Sequence, residues 1–182
     1  MTIWEHLVKL TGDIYLTYKP MFLMYHPTLH LLKGDEIRQI LNTALPGDIL
    51  LRRYNGYLNT ILTGGYYGHA GLYIGRNKVI HAVSEGVIEE DILDFCRTDG
   101  ICILSTDKNP SMAIGIAKKL IGKPYDYSFS SSNKKYYCTE LVNICYNGLF
   151  NKDKIKTFGK YVLLPDGIFN SKEIKFKIEF KH

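Results

Sequence analysis

His69-Ala70-Gly71-Leu72-Tyr73-Ile74-Gly75 and, further along, Tyr136-Tyr137-Cys138-Thr139-Glu140-Leu141-Val142 decide how this chain folds. The first run is apolar and β-rich. It opens on an imidazole and closes on a glycine before Arg76-Asn77, the pattern of a strand running into a turn. The second run begins a helical apolar period at a thiol. The chain thus sets an imidazole at a strand start and, later, a thiol at a helix start.

Working outward, Lys78 to Val83 returns as a second strand, and Gly86 to Ile88 reads as a short third one. Pro46-Gly47-Asp48 turns the chain into the strand Ile49-Leu50-Leu51-Arg52, with Asp48 as a structural turn residue. Before that turn, Asp35 caps a predicted helix to Leu45 that carries Ile37, Ile40, Leu41 and Ala44 on one face. Residues 1–11 form a short amphipathic helix through Ile3, Trp4, Leu7 and Val8. Asp91 to Phe95 reads as one helical turn, and Ile101 to Leu104 as a strand. Pro110 opens a helix to Leu120, which Gly122 ends. Residues 138–149 form the next helix, with Leu141, Val142, Cys145, Tyr146 and Leu149 on one face. The terminal run sets Ile174, Phe176, Ile178 and Phe180 against Lys175, Lys177, Glu179 and Lys181, which predicts a half-buried antiparallel strand. Helices packed against one antiparallel sheet make an α+β domain.

With 182 residues the chain is long enough for one domain with a real core. A net charge of +5 is a mild excess, spread over Lys118-Lys119, Lys134-Lys135 and the lysines from 172 to 181. With no nucleic-acid motif, these lysines read as a solvated surface, and no nucleic-acid partner is expected. A weak attraction to anionic membrane surfaces or acidic substrates is the remaining consequence of the charge. The four cysteines, Cys96, Cys102, Cys138 and Cys145, form no CxxC pair and fit no zinc spacing. No metal, cofactor or disulfide is expected. The N-terminal residues show no secretory leader, and no stretch has the roughly 18 apolar residues of a membrane span. A cytoplasmic protein is the resulting expectation. Residues 14–32 are apolar and aromatic but interrupted by Lys19, Pro20, His26 and Pro27. They read as structure covering the core, with a lid or a docking surface as the alternatives.

The chemistry centres on Cys138. An ordinary thiol is protonated at neutral pH, and a helix N-terminus favours the thiolate, with Glu140 placed to cap N–H groups in the same turn. A buried structural cysteine is the commoner fate of this residue type. His69 and His81 weigh against that fate. They stand twelve positions apart on adjacent predicted strands. If Gly71 pairs with His81, His69 lies one pair along on the same face, and no side chain at 71 separates the rings. His81 then accepts the N–H of His69 and leaves its other nitrogen for the thiol, the nucleophile–base–orienter arrangement of thiol hydrolases.

Gly47-Asp48-Ile49, the His69–Gly75 run, Val79-Ile80-His81-Ala82 and Gly86-Val87 together resemble the second half of NlpC-type cysteine peptidases. Gly122-Lys123-Pro124-Tyr125-Asp126-Tyr127 followed by Tyr137-Cys138-Thr139-Glu140-Leu141-Val142 resembles the nucleophile segment of the permuted branch, which includes the YiiX-type papain-like amidases and related poxvirus proteins. Papain-like enzymes usually place the cysteine before the histidine, and here the order is reversed. The match spans roughly residues 46–168 and takes in Leu164-Pro165-Asp166. It implies a circularly permuted papain-like (NlpC-like) fold, an antiparallel sheet packed against helices with the nucleophile at a helix N-terminus. It implies Cys138 as nucleophile, His69 as general base, His81 as the orienting residue and Tyr125 as the active-site tyrosine, whose hydroxyl helps bind an oxyanion. For Tyr125 the residue-level alternative is a turn position after Pro124. One departure stands out: many permuted members carry Glu where this chain has His81.

The whole is read as a single domain. Residues 1–45 are a helical N-terminal extension and candidate lid, 46–168 the catalytic core, and 169–182 the C-terminal strand. The expected activity is a cysteine hydrolase, an amidase or peptidase cleaving a small amide such as a cell-wall peptide or an N-acyl amino acid through a thioester. The alternatives are lipid acyl chemistry of the lecithin retinol acyltransferase type, with Met21-Phe22-Leu23-Met24-Tyr25 touching acyl chains, and an inactive ligand-binding module. The expected partner is a small peptide, amide or acyl substrate.

Overall fold

Apolar β-branched runs between tight turns build the sheet of this protein. The computed structural model describes residues 2–11, 14–18, 21–25, 30–56, 65–130, 134–157 and 159–181. The first helix α1 (Ile3–Thr11) leads to a hairpin, β1 (Ile14–Tyr18) with β2 (Met21–Tyr25). The region before position 46, read from sequence as helical, therefore contains a two-stranded sheet as well. The side chains of 14–25 lie outside the described residues, and with them the lid reading and the acyl-contact reading of Met21–Tyr25.

Helix α2 (Gly34–Thr43) starts two residues earlier than expected. Its N-cap is Lys33, whose N–H donates to the Glu36 carboxylate at 2.9 Å, while Asp35 lies in the first turn and pairs with Arg38. The main sheet follows: β3 (Ile49–Arg53), β4 (His69–Gly75), β5 (Lys78–Val83), β6 (Gly86–Asp91), β7 (Gly100–Thr106) and, at the C-terminus, β10 (Ile174–Lys181). Their order is β10-β7-β3-β4-β5-β6, antiparallel throughout. The single turn α3 (Ile92–Phe95) leaves β6, and α4 (Pro110–Leu120) and α5 (Cys138–Cys145) follow β7. A small hairpin, β8 (Ile155–Thr157) with β9 (Lys160–Val162), and the short helix α6 (Pro165–Asn170) precede β10.

Period-2 alternation gives the sheet two apolar faces. Ile49, Leu51, Ala70, Leu72, Ile80 and Ala82 pack under α4 and α5, while Leu50, Tyr73 and Val79 pack with Ile40 of α2 and with Ile92 and Phe95 of α3. Asp48 proves structural: it accepts the Leu45 N–H and the Ser105 hydroxyl, each at 2.7 Å.

Helix α5 stops at Cys145 rather than 149, because Asn147 and Gly148 take positive φ and the Asn143 side chain accepts the Phe150 N–H. In β10 a register shift falls between Ile174 and Phe176, so Ile174 packs on the Ala70/Leu72 face while Ile178 and Phe180 pack on the opposite one; Phe176 is exposed.

Candidate active site

The register of β4 and β5 places Gly71 opposite His81, so His69 and His81 share a face. Their rings meet almost at right angles, with His69 Nε2 2.8 Å from His81 Nδ1. The space at Gly71 serves a different neighbour from the one the sequence suggested. A Cβ there would stand 2.6 Å from Val79 Cγ1 and 2.9 Å from Phe95 Cε2. The Phe95 ring fills that space and meets His81 edge-on at a centroid distance of 5.3 Å.

Strand β6 brings in a residue that sequence reading missed. That reading ended the strand at Ile88, but β6 pairs with β5 as far as Asp91, opposite Lys78. Glu90 therefore sits opposite Val79, on the histidine face. Its Oε2 lies 3.1 Å from His81 Nε2 in an approach too bent for a hydrogen bond, and neither atom has a hydrogen-bonding partner among the described residues. The same oxygen is 3.8 Å from Arg52 Nη1. Arg52 pairs with His69 across β3 and β4, and its guanidinium rests 4.7 Å from the Phe95 ring centre. Arg52, His69, His81 and Glu90 thus form a polar row across four adjacent strands, with Phe95 packed against it. The tight Ser84-Glu85 turn was the available signal, since it fixes the β5–β6 register and hence the parity of Glu90.

Cys138 is the first residue of α5, with Tyr137 as its extended N-cap. The helix packs Leu141, Val142 and Cys145 on the Ala70/Leu72 face of the sheet, opposite the face that bears the histidines. Thiol and imidazole therefore come from two sides of the sheet. They are linked through Ala70, the residue after His69, whose backbone N–H favours the Cys138 thiolate.

Burial pushes the Cys138 thiol above its ordinary value, although the N–H groups of Ala70, Thr139 and Cys138 itself and the Arg52 charge all pull the other way. The expectation that the helix start would lower it is not met. Burial also drives His69 well below the usual imidazole range, aided by the Arg52 charge and by His81. His81 is lowered by burial and Arg52 against the opposing pull of Glu90. Burial raises the Glu90 carboxyl, but the His81 contact and the Arg52 and Arg97 charges more than offset it, leaving it below the usual carboxylate range. The resting constellation is a neutral thiol, two neutral imidazoles and an ionised carboxylate.

Tyr125 is half-buried and held close to the nucleophile segment. Gly86, at φ +119°, lets Lys123 dock: a Cβ would lie 2.5 Å from the Lys123 carbonyl oxygen, which accepts the Val87 N–H at 2.8 Å. Tyr125 then bridges to Tyr136, two residues before Cys138. Its ring lies 4.9 Å from that of Tyr127. A second missed contributor is Asp166, which accepts the N–H groups of Tyr66 and Tyr67 at 3.0 and 3.1 Å and so ties down the approach to His69. Glu140, buried in the first turn of α5, is pushed up to about 7 by burial and by Asp126, against the N–H of Tyr137.

A histidine strand that precedes a cysteine helix, joined to a six-stranded antiparallel sheet, defines a papain-like protein with a permuted chain. Residues 43–177 match the model of the family described as permuted papain-like amidase enzyme, YaeF/YiiX, C92 family. The chain belongs to that family, whose members are enzymes of the cysteine peptidase and amidase kind. Among solved structures it is similar to YiiX from Escherichia coli O157:H7, described as a metalloprotein, at 21% identity and a TM-score of 0.60, over 73% of this chain and 95% of that one. No curated protein matches the chain. Among the described residues, no group of three or more His, Cys, Asp or Glu side chains is placed to hold a metal ion, and no helix is long and apolar enough to cross a membrane.

Proposed function

We propose that this protein is a cysteine amidase or peptidase in which Cys138 is the nucleophile, His69 the general base, His81 the residue that orients it, and Tyr125 a donor to the oxyanion. The observation that carries this reading is the 2.8 Å contact from His69 Nε2 to His81 Nδ1, and it is supported by the backbone N–H of Ala70, next along β4, which favours the Cys138 thiolate. With Nε2 engaged, His69 Nδ1 is the nitrogen left for the thiol. Because thiol and imidazole both rest neutral, the proton moves from sulfur to Nδ1 as sulfur attacks the amide carbonyl carbon. The oxyanion forms where the Ala70 and Thr139 N–H groups and the Tyr125 hydroxyl stabilise it. The C–N bond breaks, His69 protonates the leaving amine, and a thioester remains on Cys138. Water then gives a proton to His69 and attacks the thioester; the C–S bond breaks and the thiol regains its proton.

A half-open cavity of about 230 Å³ lies beside the Cys138 segment and is a candidate place for the acyl group of a small amide such as an N-acyl amino acid. It is lined by Trp4, Phe129 and Val162, with Ser128, Thr157 and Lys160 completing it. Phe129 stacks on Tyr137, the residue before the nucleophile, at 5.1 Å.

The test is hydrolysis of graded N-acyl amino acids and short cell-wall peptides by wild type, Cys138→Ala and His69→Ala. Mass spectrometry of quenched reactions should find the acyl group on the peptide that contains Cys138. Turnover that survives in Cys138→Ala would refute the reading.

A further inference from the structure

We infer that Glu90 is a positioning residue that sets the proton arrangement of both histidines and thereby leaves His69 Nδ1 unprotonated, as a base must be. The inference rests on the roles proposed for Cys138 and His69 and adds to them a residue that acts only through His81. The geometry gives each ring nitrogen a defined part. His81 Nε2 faces the Glu90 carboxylate at 3.1 Å, and a carboxylate accepts but cannot donate. A neutral His81 therefore keeps its proton on Nε2. Its Nδ1 is then an acceptor, and the atom 2.8 Å away, His69 Nε2, must be the donor. A neutral His69 protonated on Nε2 carries its lone pair on Nδ1.

The reverse arrangement has a definite cost. If His81 held its proton on Nδ1, it would donate to His69 Nε2, leave its own lone pair facing Glu90, and move the His69 proton to Nδ1, where it blocks the thiol. Glu90 makes that state repulsive. A carboxylate in place of His81 would orient the base directly; here the histidine relays the orientation from a carboxylate one strand further out. Arg52, 3.8 Å from the same oxygen and itself paired with His69 across the sheet, keeps Glu90 ionised.

The test reads the proton positions themselves. Long-range proton–nitrogen correlation spectra of the full chain, labelled with ¹⁵N-histidine at pH 7, should show both His69 and His81 protonated on Nε2. In Glu90→Leu, His81 should gain Nδ1 protonation and His69 should follow it. The same variant should lose about tenfold or more in kcat with little change in KM, since orientation of the base matters to the transition state and not to binding. His69 protonated on Nδ1 in the wild type overturns the inference without any variant, as do tautomers and kcat left unchanged in a folded Glu90→Leu. Tautomers that shift as expected while Cys138→Ala keeps full activity would uphold the role of Glu90 and refute the nucleophile assignment.

Discussion

The ring of Phe95 occupies the volume that any side chain at position 71 would need, so Gly71 and Phe95 are fitted to each other beneath the histidine pair. Gly71→Ala must push Phe95 and Val79 aside in a packed core. We expect a loss of about 1–3 kcal/mol, read as a lower urea midpoint with an unchanged slope. Because Phe95 also abuts His81, activity should fall by more than the fraction unfolded accounts for. A Gly71→Ala protein as stable and active as wild type would show that this fit is dispensable.

The cysteines should separate sharply on alkylation. Cys96, Cys102 and Cys145 are wholly buried and pushed up to about 12, whereas Cys138 is 9% exposed. Iodoacetamide on native protein should modify Cys138 alone, with a rate that rises through pH and a midpoint above the free-thiol value of about 8.5. A midpoint below 7 would contradict a neutral resting thiol.

His81 and His69 should differ in degree. Removal of the base, in His69→Ala, should cut kcat by about 10⁴-fold or more, near the loss in Cys138→Ala. His81→Ala should cut it by a smaller factor, roughly 10²-fold or more, and let Nδ1 protonation of His69 appear in the same nitrogen spectra. Equal and complete losses in all three would argue that His81 does more than orient.

Glu140 makes stability depend on pH. Its carboxyl sits at about 7 in the folded protein, against an ordinary 4.5. Between those values the folded state holds a proton that the unfolded chain has released. Stability from this group is thus full below about pH 4.5 and lost as pH rises through 7. The loss is at most about 3 kcal/mol. Glu140→Gln should flatten the profile and be the more stable form at pH 8; a variant that tracks wild type at every pH would refute this.

The histidine pair was legible in the sequence only in part: the spacing of twelve is visible, but the two-residue turn at Arg76-Asn77 pairs Gly75 with Lys78, a register that alone would set the rings on opposite faces, and the shift between Tyr73 and Gly75 that brings Gly71 opposite His81 leaves no sequence signal. The site of Cys138 was legible from the helical period that starts there. Glu90 was not, because Ile88-Glu89-Glu90-Asp91 looks like a solvated acidic turn, and only the ladder to β5 reveals which carboxylate turns inward. The thiol was misjudged for a related reason. Position in a helix is visible in sequence, but the depth of burial, which dominates here, depends on elements far along the chain. The terminal strand shows the converse: its alternation was sound from Phe176 to Phe180, and a single register shift put Ile174 on the other face.

Replacing Asp166 by Ala would strand the N–H groups of Tyr66 and Tyr67, at about 1–2 kcal/mol, and loosen the base without touching it. We expect kcat to fall while α5 and its thiol stay in place, which alkylation of Cys138 at the wild-type rate would confirm.

That same carboxylate has a consequence for synthesis. His69 is translated early and Cys138 late, yet the clamp that fixes the approach to His69 comes later still, at position 166, and the edge strand of the sheet ends at 181. A nascent chain emerging from the ribosome therefore carries every reactive side chain before it carries the means to align them. The permuted order thus leaves the alignment of His69 and Cys138 to segments made after both.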